Sequence, residues 1–181
     1  MGDFMSIVLN SSGGGSVSIV EPTTASNFTQ TLPASTGTVM VSGNMPAFSA
    51  YNSTTQSISN ATDTKITYDT ELFDTNSNFA SSRFTPTVAG YYQIIASVRD
   101  GTGGVSGQLI SYIYLNGGNN KFCVLPLSGA VGTTTVCSAL MYMNGSTDFL
   151  EHYVRQSSGV SMNISASPNT TFFSGVLVRA A

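Results

Sequence analysis

Charge is what this chain has least of. Asp, Glu, Lys and Arg make up 8% of its 181 residues, against about a quarter in an ordinary soluble domain. Six basic and nine acidic residues, net −3, are scattered singly. No positive stripe exists to neutralise a run of phosphates, so nucleic acid is not an expected partner. Histidine is nearly absent too: His152 is the only one. A catalytic triad needs a nucleophile held by an oriented base, and no Gly-X-Ser-X-Gly elbow presents a serine, so no catalytic residue is assigned. Cys123 and Cys137 are the only cysteines, too few without a His pair for a tetrahedral zinc site. They read as small buried hydrophobes on neighbouring strands rather than a disulfide. No apolar run approaches the ~20 residues that span a bilayer, and no signal-peptide pattern opens the chain, so neither membrane insertion nor secretion is expected. The seven Asn-X-Ser/Thr sequons are accordingly by-products of an Asn/Ser/Thr-rich composition.

What is present is a hydroxyl- and amide-covered sequence with 41% hydrophobic residues. Little colloidal repulsion separates its copies, which points to obligate assembly. From Pro46 onward, short alternating runs recur between turn signals, the pattern of a sandwich rather than of βαβ units. In residues 91–98, Tyr92, Ile94, Ala96 and Val98 share the expected core face. The one long apolar stretch, Val136 to Met143, is eight residues and fits a strand. Essentially no helix is expected. Residues 1–43 differ in kind: Gly13 to Gly15, Pro22, Pro33 and Gly37 punctuate short β-prone pieces such as 17–20 and 38–41. Their apolar residues Val17, Ile19, Phe28, Leu32, Val39 and Val41 are too few to close a core, so this arm must pack on something else. The organisation is thus an arm, 1–43, and an antiparallel two-sheet domain, 44–181.

Constellations that resemble chemistry are explained by pattern. His152 reads as a partly exposed strand residue. Asp148, Glu151 and His152 lie within five residues, yet alternation sends Glu151 and His152 to opposite faces, and two ligands do not hold a metal. Gly101 to Gly104 and Gly13 to Gly15 lack the Lys-Ser/Thr and helix start of a phosphate cradle. No cofactor is expected.

Tyr68, Asp74, Phe79, Phe84 and Gly90-Tyr91-Tyr92 resemble the signature of the complement globular-head (C1q) family, which shares its fold with tumour necrosis factor. Residues 46–50 resemble that family's first strand, and Phe172-Phe173-Ser174-Gly175 its closing strand. The resemblance implies a jelly roll of about eight to ten strands and a homotrimer, with Phe48, Tyr92, Phe149 and Phe173 divided between core and threefold interface. Residues 13–43 are similar to a segment of bacteriophage fibre and virion proteins. That implies a non-enzymatic virion protein made in a bacterial cytoplasm, held to other virion proteins by the arm and displayed for attachment to a host glycan or protein. Capsid decoration is the alternative, and a polysaccharide-degrading spike a more distant one. Counting strands back from the last places the Asn-rich turns bearing Asn116, Asn119, Asn120, Asn144, Ser146 and Asn169 together at a receptor-binding apex, with the last strand finishing at the opposite base.

Overall fold

The computed structural model describes residues 6–20, 29, 31, 34, 41, 43, 45–129 and 132–181. The arm positions Phe28, Leu32 and Val39 lie outside them. The chain divides into two compact units, Met1–Gly37 and Thr38–Ala181.

The first unit carries a hairpin of β1 (Ser6–Asn10) and β2 (Ser16–Val20). Its five-residue connection closes through Ser11 N to Gly15 O, 2.8 Å. Register pairs Ile7 with Ile19 and Leu9 with Val17, so these four share one face. All four are exposed.

The second unit is an all-β antiparallel sandwich. Its strands are β3 (Ala47–Tyr51), β4 (Gln56–Ile58), β5 (Thr64–Lys65), β6 (Thr70–Asp74), β7 (Phe79–Ala80), β8 (Arg83–Phe84) and β9 (Gly90–Arg99). There follow β10 (Ser106–Leu115), β11 (Gly118–Ser128), β12 (Thr134–Met143), β13 (Leu150–Gln156), β14 (Met162–Ile164) and β15 (Phe172–Ala180). The first sheet runs β12-β9-β15-β3-β6; the second runs β11-β10-β13-β8-β7, with β5 also on β13; β4 and β14 form a separate pair.

The core lies between the sheets. The face expected of β9 is there: Tyr92, Ile94, Ala96 and Val98 are fully buried. The Phe48 ring stacks on Phe79 and Phe84 at 5.0 and 4.3 Å and meets Phe173 edge-on at 5.1 Å. Burying each such ring contributes about 1.5–3 kcal/mol. Phe48, Tyr92 and Phe173 therefore belong to the subunit core, not to an interface. Phe149 is half-buried beneath the Arg83 guanidinium, 3.9 Å above its ring.

The signature residues do structural work. Asp74 Oδ2 accepts the Phe79 N–H at 2.7 Å and fixes the turn between β6 and β7. A Cβ on Gly90 would strike Arg179 O and the Leu177 side chain.

The turns sort into two ends. At one, Asn116 and Gly117 both have positive φ, 53° and 80°, as a tight hairpin between right-twisted strands requires. Asn116 N reaches Phe149 O there, and Ala181 N reaches Ala89 O, both at 3.0 Å. The chain enters β3 on this side, with Pro46 O accepting from Leu177 N. At the opposite end Gly101 N bonds Asn163 O, Gly104 N bonds Gly129 O and Ser165 N bonds Arg99 O.

This corrects the strand count. β13 ends and β15 begins at the same end, because β14 pairs with β4 instead of crossing the sandwich. Asn169 therefore lies opposite Asn116 and Asn144, and the last strand finishes beside those two rather than away from them.

Candidate functional site

The sandwich buries one constellation that looks catalytic. His152 sits on β13 facing the core, and it is fully buried rather than partly exposed. Its Nδ1 meets the Tyr68 hydroxyl, and its Nε2 lies 2.8 Å from Ser111 Oγ. Ser111 Oγ in turn donates to Ala96 O at 3.4 Å. One proton arrangement satisfies every member: Tyr68 donates to Nδ1, and Nε2–H donates to Ser111. Burial holds the imidazole neutral, with its pKa lowered to about 3, and pushes the Tyr68 phenol well above 10. Serine, histidine and an orienting hydroxyl are aligned as in a nucleophile relay, but Ser111 is sealed from solvent and no substrate atom can reach it.

Glu151, the preceding residue, points to the opposite face of the strand and is also buried. Lys65 Nζ and Arg83 Nη2 bind its Oε1 at 2.7 and 2.9 Å. Burial pushes this carboxyl up, but the hydrogen bonds and charges of the two cations outweigh it, and the net shift is downward. Asp148 is engaged elsewhere, accepting from Asn116 Nδ2 and Asn144 N at 2.9 and 2.8 Å. Among the described residues no three His, Cys, Asp or Glu side chains are grouped to hold a metal ion.

The Asn turns are built inward. Asn144 Oδ1 accepts the N–H groups of Ser146, Thr147 and Asp148 at 2.9–3.0 Å, together with the Ser146 hydroxyl at 3.2 Å. Asn116 Oδ1 accepts Phe149 N at 2.9 Å. Asn119 and Asn120 stand exposed on β11. Tyr114 and Tyr142, two residues before Asn116 and Asn144, sit on different sheets.

Cys123 and Cys137 are free thiols on consecutive strands of different sheets. Burial, with a hydrogen bond donated to Cys123, pushes the Cys137 thiol up to about 12.

Two outer faces remain, neither of which was read from the sequence as a site. On the first sheet, cross-strand pairing lines up Leu140, Gln93, Val176 and Ala47; then Ser138, Ile95, Ser174, Ser49 and Phe73; then Val136, Ser97, Phe172, Tyr51 and Thr70. These three rows carry no charge. Phe73, Val136, Leu140 and Val176 are exposed, as are Tyr91 and Tyr142, whose rings meet edge-on at 5.4 Å beside them. The sequence did hold a signal: residues 136–143 are apolar on both faces, as in strands covered on both sides.

On the second sheet, pairing aligns Phe122, Tyr112, Tyr153 and Lys65 across four strands. Tyr114 stacks on Tyr153 at 4.1 Å, and Tyr112 meets Phe122 and Tyr114 at 5.8 and 5.9 Å. The Tyr114 hydroxyl donates to Asp63 Oδ2 at 2.7 Å, while Arg155 pairs with Asp63 Oδ1 at 3.1 Å. Burial, and then Asp63, push the Tyr114 phenol up. Where this row ends, Lys65 and Arg83 line a cavity of about 470 Å³ together with Ser77, Asn78, Thr85 and Thr87.

No family model and no curated protein matches this sequence. Solved structures do match its fold. Murine APRIL superposes with TM-score 0.56 at 11% identity, covering 74% of this chain and 99% of that one. The globular domain of zebrafish complement 1qA gives 0.52 at 16%, covering 75% and 98%. The tumour necrosis factor Eiger from S. frugiperda gives 0.55 at 10%, covering 76% and 93%. The fold is a jelly roll of the C1q and tumour necrosis factor type. Identities this low show the fold alone.

Proposed function

We propose that this chain is a non-enzymatic binding module that assembles as a homotrimer and serves as a bacteriophage virion appendage, displayed for attachment to a host surface. The observation that carries it is the uncharged, largely apolar outer face of the first sheet. An exposed face of that composition, rimmed by Arg99 and Arg179, resembles the interior of an obligate interface rather than a solvated surface. Its occupants are two further copies of the chain, in keeping with the usual trimer of this fold. The virion placement rests on residues 13–43, whose sequence is similar to phage fibre segments, and on the apolar stripe of the hairpin, which needs a partner.

The test is mass in solution at micromolar concentration, followed by imaging of particles. The expected result is three times the chain mass, reduced to a folded monomer by Leu140→Asp with Val176→Asp. A wild-type monomer overturns the assembly. Density at the tail or neck supports attachment, whereas density at the capsid threefolds replaces attachment with capsid decoration. Absence from particles removes the virion role altogether.

A further inference from the structure

We infer that the outer face of the second sheet binds an acidic polysaccharide, with sugar rings lying on the Phe122–Tyr112–Tyr114–Tyr153 row and a uronate or sialate carboxylate at Lys65 and Arg83. The inference rests on the attachment reading only in identifying the attached surface as this glycan; the binding face itself is argued independently of the trimer.

Three features converge. The first is the aromatic row. Phe122 is 59% exposed, while Tyr112, Tyr114 and Tyr153 are half-buried and braced ring against ring. Rings already fixed lose little rotamer freedom on binding; Tyr114 and Tyr153 cover one face of each other, and the apolar ring surface that the row leaves uncovered suits the C–H faces of pyranoses. The second is charge. Asp63 is neutralised by Arg155 and hydrogen-bonded by Tyr114, so the aromatic part of the face carries no net charge and accepts uncharged, hydroxylated rings. Lys65 and Arg83, by contrast, share one carboxylate, Glu151, which leaves one positive charge in excess. They are two of only six basic residues in the whole chain, and both line the same cavity. The third is continuity. Lys65 is the cross-strand partner of Tyr153, and Glu151 that of Tyr114, so row and cavity adjoin on one face. From β11 to β5 is three strand spacings, about 14 Å at about 4.8 Å each, the length of a short oligosaccharide.

The partner this selects is therefore a chain of sugars bearing carboxylates. A neutral glycan would leave the cationic cavity unused, and an acidic peptide would not use the aromatic row. Thr85 and Thr87 line the cavity with the two cations, and their hydroxyls are hydrogen-bond partners for the remaining sugar hydroxyls.

The experiment measures binding of the intact protein to fragments of polygalacturonate, alginate, hyaluronate and polysialate, each compared with its carboxyl-reduced form. At least one acidic fragment is expected to bind, at least tenfold tighter than its reduced counterpart and more weakly as salt rises. Phe122→Ala with Tyr112→Ala should lower that affinity at least tenfold while leaving the thermal midpoint and oligomeric mass unchanged. Lys65→Gln tests the cation separately and should abolish discrimination against the reduced form. Binding to none of the four, or equal binding of acidic and reduced forms, or binding indifferent to the aromatic variant, overturns the inference. If no fragment binds and particles still adsorb to cells, this face is wrong and the attachment reading survives. If particles lacking the protein adsorb normally, the attachment reading is wrong whatever the fragments do.

Discussion

His152 couples the stability of the fold to pH. The folded imidazole stays neutral down to about pH 3, whereas its ordinary value is 6.5. Between these values the unfolded chain binds a proton that the folded chain refuses, so stability is complete above about pH 6.5 and is lost as pH falls below it. The loss is about 1.4 kcal/mol per pH unit for one such group. Glu151 has a folded pKa below its ordinary 4.5, so its own loss begins only as pH falls through about 4.5, and the window from 6.5 to 5 belongs to His152. Urea unfolding at fixed protein concentration should show a decline of about 2 kcal/mol from pH 7 to pH 5. His152→Gln should be less stable at pH 7 and nearly flat across that window; an unchanged slope in the variant would refute the assignment. The burial of His152 was legible in principle. Leu150, His152, Val154 and Gln156 share a face, and all four are buried. What misled the reading was Glu151 opposite, since a carboxylate alone does not announce that Lys65 and Arg83, 86 and 68 residues away, will cover it.

Among the elements, the loop between β12 and β13 shows how far turn chemistry can be read. The Asn144-Gly145 pair opens a six-residue connection between the two sheets, and the Asn side chain is spent in shaping it. With its Oδ1 accepting three backbone N–H groups and a hydroxyl, Asn144 acts as a cap, and such caps contribute about 1 kcal/mol. Asn144→Ala should lower unfolding free energy by about 1–2 kcal/mol, read from a shift in denaturant midpoint, while Asn120→Ala, on the exposed edge of β11, should change it little. Equal effects would place both residues on a passive surface. Alternation along β9 gave its core face correctly, because Tyr92, Ile94, Ala96 and Val98 are all apolar while the other side includes Gln93 and Ser97. Parity failed between β13 and β15 because it assumes that every strand crosses the sandwich. Met162 and Ile164 of β14 are fully buried, so the segment carries the apolar signal of a crossing strand, yet it pairs with β4 and bridges Asp100 at one end. Nothing in local sequence separates a three-residue pairing at the rim from a traverse.

At the scale of the whole molecule, the jelly roll and the amino-terminal hairpin are stabilised by different means. The jelly roll closes around its own aromatic core, with Phe48, Phe79, Phe84 and Phe173 in mutual contact. The hairpin has two strands and one apolar face, and a two-stranded ribbon in water is at best marginally stable. Val17 and Ile19, expected from the sequence to anchor the arm, fall on that face with Ile7 and Leu9; Val41 is exposed as well. Four exposed branched side chains on one ribbon face represent roughly 25 cal/mol of unrealised burial for each Å², recoverable only against a partner. If that partner is another virion protein, removing residues 1–43 should separate folding from incorporation. The truncated chain should keep the oligomeric mass and thermal midpoint of the full protein within a few degrees, as expected of a domain whose core contacts are intact. It should be missing from particles assembled in its presence. A truncated protein that incorporates normally would show that the arm is not the anchor. One that no longer folds would show that the hairpin completes the jelly roll rather than docking elsewhere.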